Sequence, residues 1–102
     1  MGEPVEVAKV ADLAVGSGKV CDAGGGRSIA LFRTEAGFFA IDNDCCHRGG
    51  PLGDGFVEGS IVTCPWHGWR FDFTSGQSPD NPAAKTATHR VTVVGDSVRV
   101  EL

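Results

Sequence analysis

Hydrophobic and polar residues alternate with period two through much of this chain, the pattern of strands with one face buried. Residues 4–10 place Val5 and Val7 two apart, with Val10 following Lys9. Residues 28–33 and 37–42 flank a short Thr34-Glu35-Ala36 connection and predict a β-hairpin. A second tight hairpin is expected where 56–57 and 60–63 flank Glu58-Gly59, and a third where 90–94 and 97–102 enclose Gly95-Asp96. Between them, 69–73 alternates large and polar residues ahead of Ser75-Gly76. Helix is confined to single turns at 10–14 and 83–87. No repeat or linker interrupts the pattern. The expected fold is all-β and antiparallel, a sandwich or small barrel built from short hairpins.

Composition sharpens this picture. A length of 102 residues predicts one domain, 1–102, large enough for a real core. Hydrophobic content of 41% and charged content of 22% are those of a globular protein. Fifteen glycines, about twice the usual share, fit many turns. A formal net charge of −4 disfavours a nucleic-acid partner, which normally meets a basic face. No apolar run approaches the roughly 20 residues that cross a bilayer, and the start has neither a basic nor an apolar signal region. Glu6 stands where myristoylation of Gly2 would need Ser or Thr. The chain is expected to be cytoplasmic, with no membrane contact.

Four cysteines and three histidines carry the chemistry. Cys45 and His47 form C-x-H; sixteen residues later Cys64 and His67 form C-x-x-H. Each pair sits on a Gly- or Pro-containing loop at a strand end, so two loops, each with one thiolate and one imidazole, can converge on one metal centre. Disulfides are a poor alternative, because vicinal Cys45 and Cys46 are badly placed to pair and intracellular chains seldom keep them. A structural zinc site accepts the same donors, although zinc sites usually pair like with like, Cys with Cys and His with His. The alternation Cys-His-Cys-His suits two adjacent irons better. Colour separates these readings: an iron–sulfur protein is brown-red and a zinc protein colourless.

Cys45-x-His47-Arg48-Gly49 followed by Cys64-Pro65-x-His67-Gly68 closely resembles the Rieske 2Fe–2S family. The likeness extends more loosely to the hairpin order and to Ser78-Pro79-Asp80-Asn81-Pro82, where relatives carry a Pro-bearing loop that helps cover the cluster. It implies a Rieske-type antiparallel β-sandwich with a small inserted cluster-binding subdomain, about 43–74. It also implies one 2Fe–2S cluster, with Cys45 and Cys64 on one iron and His47 and His67 on the other. Two departures indicate the branch. Gly50 and Trp66 stand where respiratory relatives have a disulfide, and Trp69 and Phe71 where those relatives place a Ser and a Tyr. Hydrogen bonds to cluster sulfurs raise the potential, so their loss argues for the low end of the range, nearer about −150 than +300 mV.

The sequence therefore resembles the ferredoxins of bacterial oxygenase systems. That resemblance implies a monomeric one-electron carrier, not itself an enzyme, between a flavin-dependent reductase and a terminal oxygenase. A Rieske-type small subunit of an assimilatory nitrite reductase is the alternative. An oxygenase is excluded: its mononuclear iron needs two His and a carboxylate, and only His89 is left.

The remaining residues take plainer roles. Gly24-Gly25-Gly26 reads as a surface turn, Cys21 and Cys46 as free thiols, and His89 as a surface or strand residue. Phe32, Phe38, Phe39, Phe56, Phe71 and Phe73 read as core. Trp66 and Trp69 flank the second ligand pair and are candidates to shield the cluster from water. Asp42, Asp44, Asp54 and Glu58, against Arg48 and Arg70, form either a solvated rim or a negative collar for a basic partner.

Overall fold

The computed structural model describes residues 4–24, 26–43, 51–66 and 68–101. Among the described residues nine strands form: β1 (Val5–Lys9), β2 (Ser17–Asp22), β3 (Ser28–Thr34), β4 (Gly37–Asp42), β5 (Phe56–Glu58), β6 (Ile61–Thr63), β7 (Arg70–Asp72), β8 (Thr88–Val94) and β9 (Ser97–Glu101). Six make one sheet in the order β1-β9-β8-β4-β3-β2, and β5-β6-β7 make a second. Every pairing is antiparallel. The small sheet is an insertion in sequence: β4 and β8 pair directly through Ala40 opposite His89 and Ile41 opposite Thr88.

All three expected hairpins form, because their turn chemistry is local. The β5–β6 turn falls on Gly59-Ser60, one residue later than the alternation suggested. The stretch 10–14 contains the 3₁₀ turn Val10–Asp12. A helical turn at 83–87 does not form. There the Thr86 and Ala84 backbones bond Gly76 and Ser78, with Lys85 bridging Gln77, so the segment runs as an antiparallel ribbon. Strand β2 is the element the pattern missed. Cys21 is its one buried residue, and it becomes a strand through pairing along its whole length with β3.

β3 is the wall between two cores. Its successive side chains point to opposite faces, so Ala30 and Phe32 enter one core while Ile29 and Leu31 enter the other, all fully buried. The second core, with Leu13, Cys21, Val98 and Val100, lies within the six-stranded sheet. The first joins the two sheets through Phe32, Ile41, Leu52, Val62, Cys64, Phe71 and Phe73. Phe32 and Phe73 stack there at 4.5 Å with an interplanar angle of 8°, a ring separation that adds to simple area burial. Phe38 and Phe39 are partly buried against these cores.

Phe56 is a correction: it is 70% exposed. In a three-residue strand one alternating face is buried, and the inward position is taken by Val57. His89 lies on β8 with its side chain only 8% exposed, its Nε2 2.7 Å from Asp42 Oδ1. Gly24 and Gly26 turn with positive φ between β2 and β3, as expected. Cys21 is buried and unpaired, and burial pushes its thiol pKa up, so it is an unreactive filler. No helix of the described residues is long and apolar enough to cross a membrane.

Candidate metal centre

Cys45, His47 and His67, with Asp44, Cys46 and Arg48, lie outside the described residues; Cys64 and the feet of both ligand loops lie within them. The first loop leaves β4 at Asn43 and returns at Pro51. Its ends are closed by one residue: the Asn43 carbonyl accepts the Leu52 N–H at 2.8 Å, and Asn43 Oδ1 accepts the Gly53 N–H at 2.9 Å. Asn43 is buried, so both bonds are shielded from water. Leu52 carries the returning foot into the core between the sheets.

Directly after it, Gly53 and Gly55 admit two backbones that a side chain would exclude. A Cβ on Gly53 would sit 2.7 Å from Lys19 C and from Val20 N in β2. One on Gly55 would fall on the carbonyl oxygen of Thr63, the last residue of β6. The returning segment is thus wedged between the large sheet and the strand that leads to Cys64.

The second loop closes on itself. The Cys64 N–H donates to the Trp69 carbonyl at 2.7 Å, and the Gly68 N–H donates to the Cys64 carbonyl at 3.1 Å. Gly68 adopts φ 74, a left-handed turn that a residue with a side chain would resist. Cys64 is 2% exposed, free of disulfide, and packed in the same core as Leu52, Val62 and Phe71. A buried soft thiol at the foot of a closed loop, beside the foot of the loop that carries Cys45 and His47, fits an iron–sulfur cluster. Phe71 points wholly into that core and has no hydroxyl to offer a sulfur.

A third segment leans on the second loop. Arg70 donates from Nε to Asp80 Oδ2 at 2.8 Å and from Nη2 to Asp80 Oδ1 at 2.6 Å. This two-pronged bond holds the Asp80 carboxyl below its ordinary pKa and the Arg70 guanidinium above its own. Within the segment, Gln77 Nε2 lies 3.3, 3.2 and 3.0 Å from the carbonyls of Ser78, Asn81 and Ala84. The result is a pocket of about 270 Å³ lined by Gly68, Trp69, Arg70, Ser78, Asp80 and Asn81. Sequence reading flagged the 78–82 stretch but not these bonds. A charge-complementary Arg and Asp ten residues apart was the available signal; for the buried Asn43 there was none.

Trp69 packs against the core that holds Cys64, where shielding requires it. Trp66 is 59% exposed and faces solvent. Of the acidic residues, Asp42 is engaged by His89 and lies 3.7 Å from Arg27, so it does not contribute to an open collar. Asp54 and Glu58 are exposed.

The Rieske [2Fe-2S] domain matches residues 3–97. The chain is 35% identical over 78 residues to the ferredoxin component of the naphthalene 1,2-dioxygenase system of Pseudomonas aeruginosa, covering 76% of this chain and 75% of that one. Its fold superposes on the ferredoxin of carbazole 1,9a-dioxygenase from Nocardioides aromaticivorans with TM-score 0.87 and 27% identity over 97% of both chains. It also superposes on a structure assigned as an NADH-dependent nitrite reductase small subunit from Mycobacterium tuberculosis, with TM-score 0.85 and 20% identity over 98% of this chain and 95% of that one, a likeness of fold alone.

Proposed function

Because this chain belongs to the Rieske [2Fe-2S] domain family, we propose that it is the ferredoxin of a multicomponent oxygenase system, taking electrons from a flavin-dependent reductase and delivering them to a terminal oxygenase. Two of the three proteins compared above are ferredoxins of dioxygenase systems, electron carriers rather than catalytic subunits, and the third, the nitrite reductase subunit, shares the fold alone. The family's cofactor is a Rieske 2Fe–2S cluster, which supplies one reversible one-electron site. We assign Cys45 and Cys64 as ligands of one iron and His47 and His67 of the other, within a unit spanning about 43–74. A cytoplasmic monomer is the form this reading requires.

The observation that carries the reading is the convergence of Leu52 and Cys64, the feet of the two loops, in one buried core. The protein's own residues then have three tasks. Asn43, Gly53 and Gly55 set the position of the first loop against the second. Val62, Phe71 and Trp69 form an apolar wall around Cys64 and exclude water from that side. The Arg70–Asp80 pair holds the 76–82 segment beside the second loop.

Electron transfer tests this directly. The cluster-loaded chain, reduced and mixed with the terminal oxygenase encoded nearest to its reading frame, is expected to be reoxidised at a rate first order in oxygenase. Copurification with a large flavin and haem subunit, without reoxidation by the oxygenase, would instead assign it to nitrite reduction.

A further inference from the structure

The outer face of the small sheet holds a feature that neither the ligand loops nor the cores use. Val57, Val62 and Phe71 are cross-strand neighbours at the middle of β5, β6 and β7, and all three face the inter-sheet core. Alternation then turns Phe56, Thr63 and Arg70 outward as one row, and Glu58, Ile61 and Asp72 as the next. Phe56 stands on this face with 70% of its surface exposed, more than any other large hydrophobic residue among those described. An aromatic ring left in water on a domain with two well-filled cores is a candidate anchor for a partner, since aromatic residues are enriched in binding hot spots.

Charge and position narrow the partner. Asp54 and Glu58, two residues to either side of Phe56, are both exposed, and neither is ion-paired with another described residue. Arg70, the basic residue of the same row, already has its guanidinium bound by Asp80. Along the chain the ring therefore has an exposed carboxylate two residues to each side, and Glu58 also acts electrostatically on Arg70. Phe56 also lies opposite Thr63, the residue before Cys64. With opposed Cα atoms about 5 Å apart and consecutive ones about 3.8 Å, the Phe56 backbone lies within about 9 Å of that of Cys64. Whatever seats this ring is brought up to the second ligand loop.

We propose that Phe56, flanked by Asp54 and Glu58, is the anchor through which the chain docks on its terminal oxygenase: the ring enters an apolar socket whose rim is basic. The inference rests on the reading that an oxygenase is the electron acceptor. A second copy of this chain is disfavoured as occupant, since it would bring the same carboxylates face to face, and like charges across an interface are costly. Electron-transfer contacts are small, below about 1,200 Å² in total. A fully buried aromatic side chain removes about 150–250 Å² from water, roughly an eighth to a fifth of such a contact.

Binding of the cluster-loaded chain to the oxygenase, measured by calorimetry, tests the proposal. Phe56→Ala is expected to raise Kd about tenfold or more, while the visible spectrum, reduction potential and melting temperature stay at their unsubstituted values. Phe56→Leu, which keeps an apolar knob, should recover most of the affinity. Asp54→Asn with Glu58→Gln should slow association at low salt and flatten its salt dependence, because steering acts on the association rate. An unchanged Kd for Phe56→Ala alongside normal binding by the unsubstituted chain overturns the proposal and leaves the oxygenase reading intact. A loss confined to the reductase also overturns it, by assigning the ring to the electron donor. Failure of the unsubstituted chain to bind or reduce the oxygenase overturns both.

Discussion

Replacing Gly53 with alanine tests how the first ligand loop is positioned. The added Cβ would lie 2.7 Å from Lys19 C and Val20 N and 2.8 Å from Lys19 O. Carbon contacts are comfortable at about 3.5–4.0 Å, so backbone must move by about 1 Å. All three atoms belong to β2, which is paired with β3 along its length and cannot yield like a flexible side chain. The 3₁₀ turn Leu52–Asp54 must shift instead, and that strains the buried bond from the Gly53 N–H to Asn43 Oδ1. Overpacking typically costs about 1–3 kcal/mol. With about 2 kcal/mol as the central value, a domain near 100 residues melts lower by about 8–16 °C. Cluster content should fall in parallel, because the displaced segment is the foot of the loop carrying Cys45 and His47. Calorimetric melts and iron per chain, read beside the exposed-site control Val94→Ala, measure both. A Gly53→Ala protein that melts within about 2 °C of the unsubstituted chain with full iron would refute the close-approach argument.

Two further outcomes are expected. Cys64→Ser removes a buried thiolate donor and should abolish the visible cluster spectrum, whereas Cys21→Ser, in the other core, should leave it intact; a full-strength spectrum in Cys64→Ser would sink the ligand assignment. The Arg70 bond holds the Asp80 carboxyl below its ordinary pKa, so an NMR titration should find its midpoint lowered and Arg70→Gln should move it back up. Because the folded value is depressed, the pair's contribution to stability is fully present at neutral pH and fades as pH falls through that midpoint.

Much of this protein was legible in its sequence, for reasons that are local. The hairpins around Thr34-Glu35-Ala36, Gly59 and Gly95 follow from turn residues between alternating runs, and neither signal depends on the rest of the chain. The four ligand candidates are read from donor chemistry and spacing within each loop, and of them Cys64 lies among the described residues, buried in the inter-sheet core. What tertiary structure decided involves faces and close approaches. β2 has too few apolar positions to announce itself and exists because β3 offers an unpaired edge. Phe56 and Val57 are both hydrophobic as text; packing of the small sheet against Phe32 and Phe73 chose Val57 for the interior and left Phe56 outside. His89 and Asp42 are 47 positions apart and meet only because β8 pairs with β4 across the inserted sheet. Asn43, Gly53 and Gly55 likewise gain their meaning from backbones in β2 and β6 that the sequence does not place beside them. Turn and donor chemistry is written residue by residue, whereas the choice of buried face and of neighbouring backbone belongs to the packed whole.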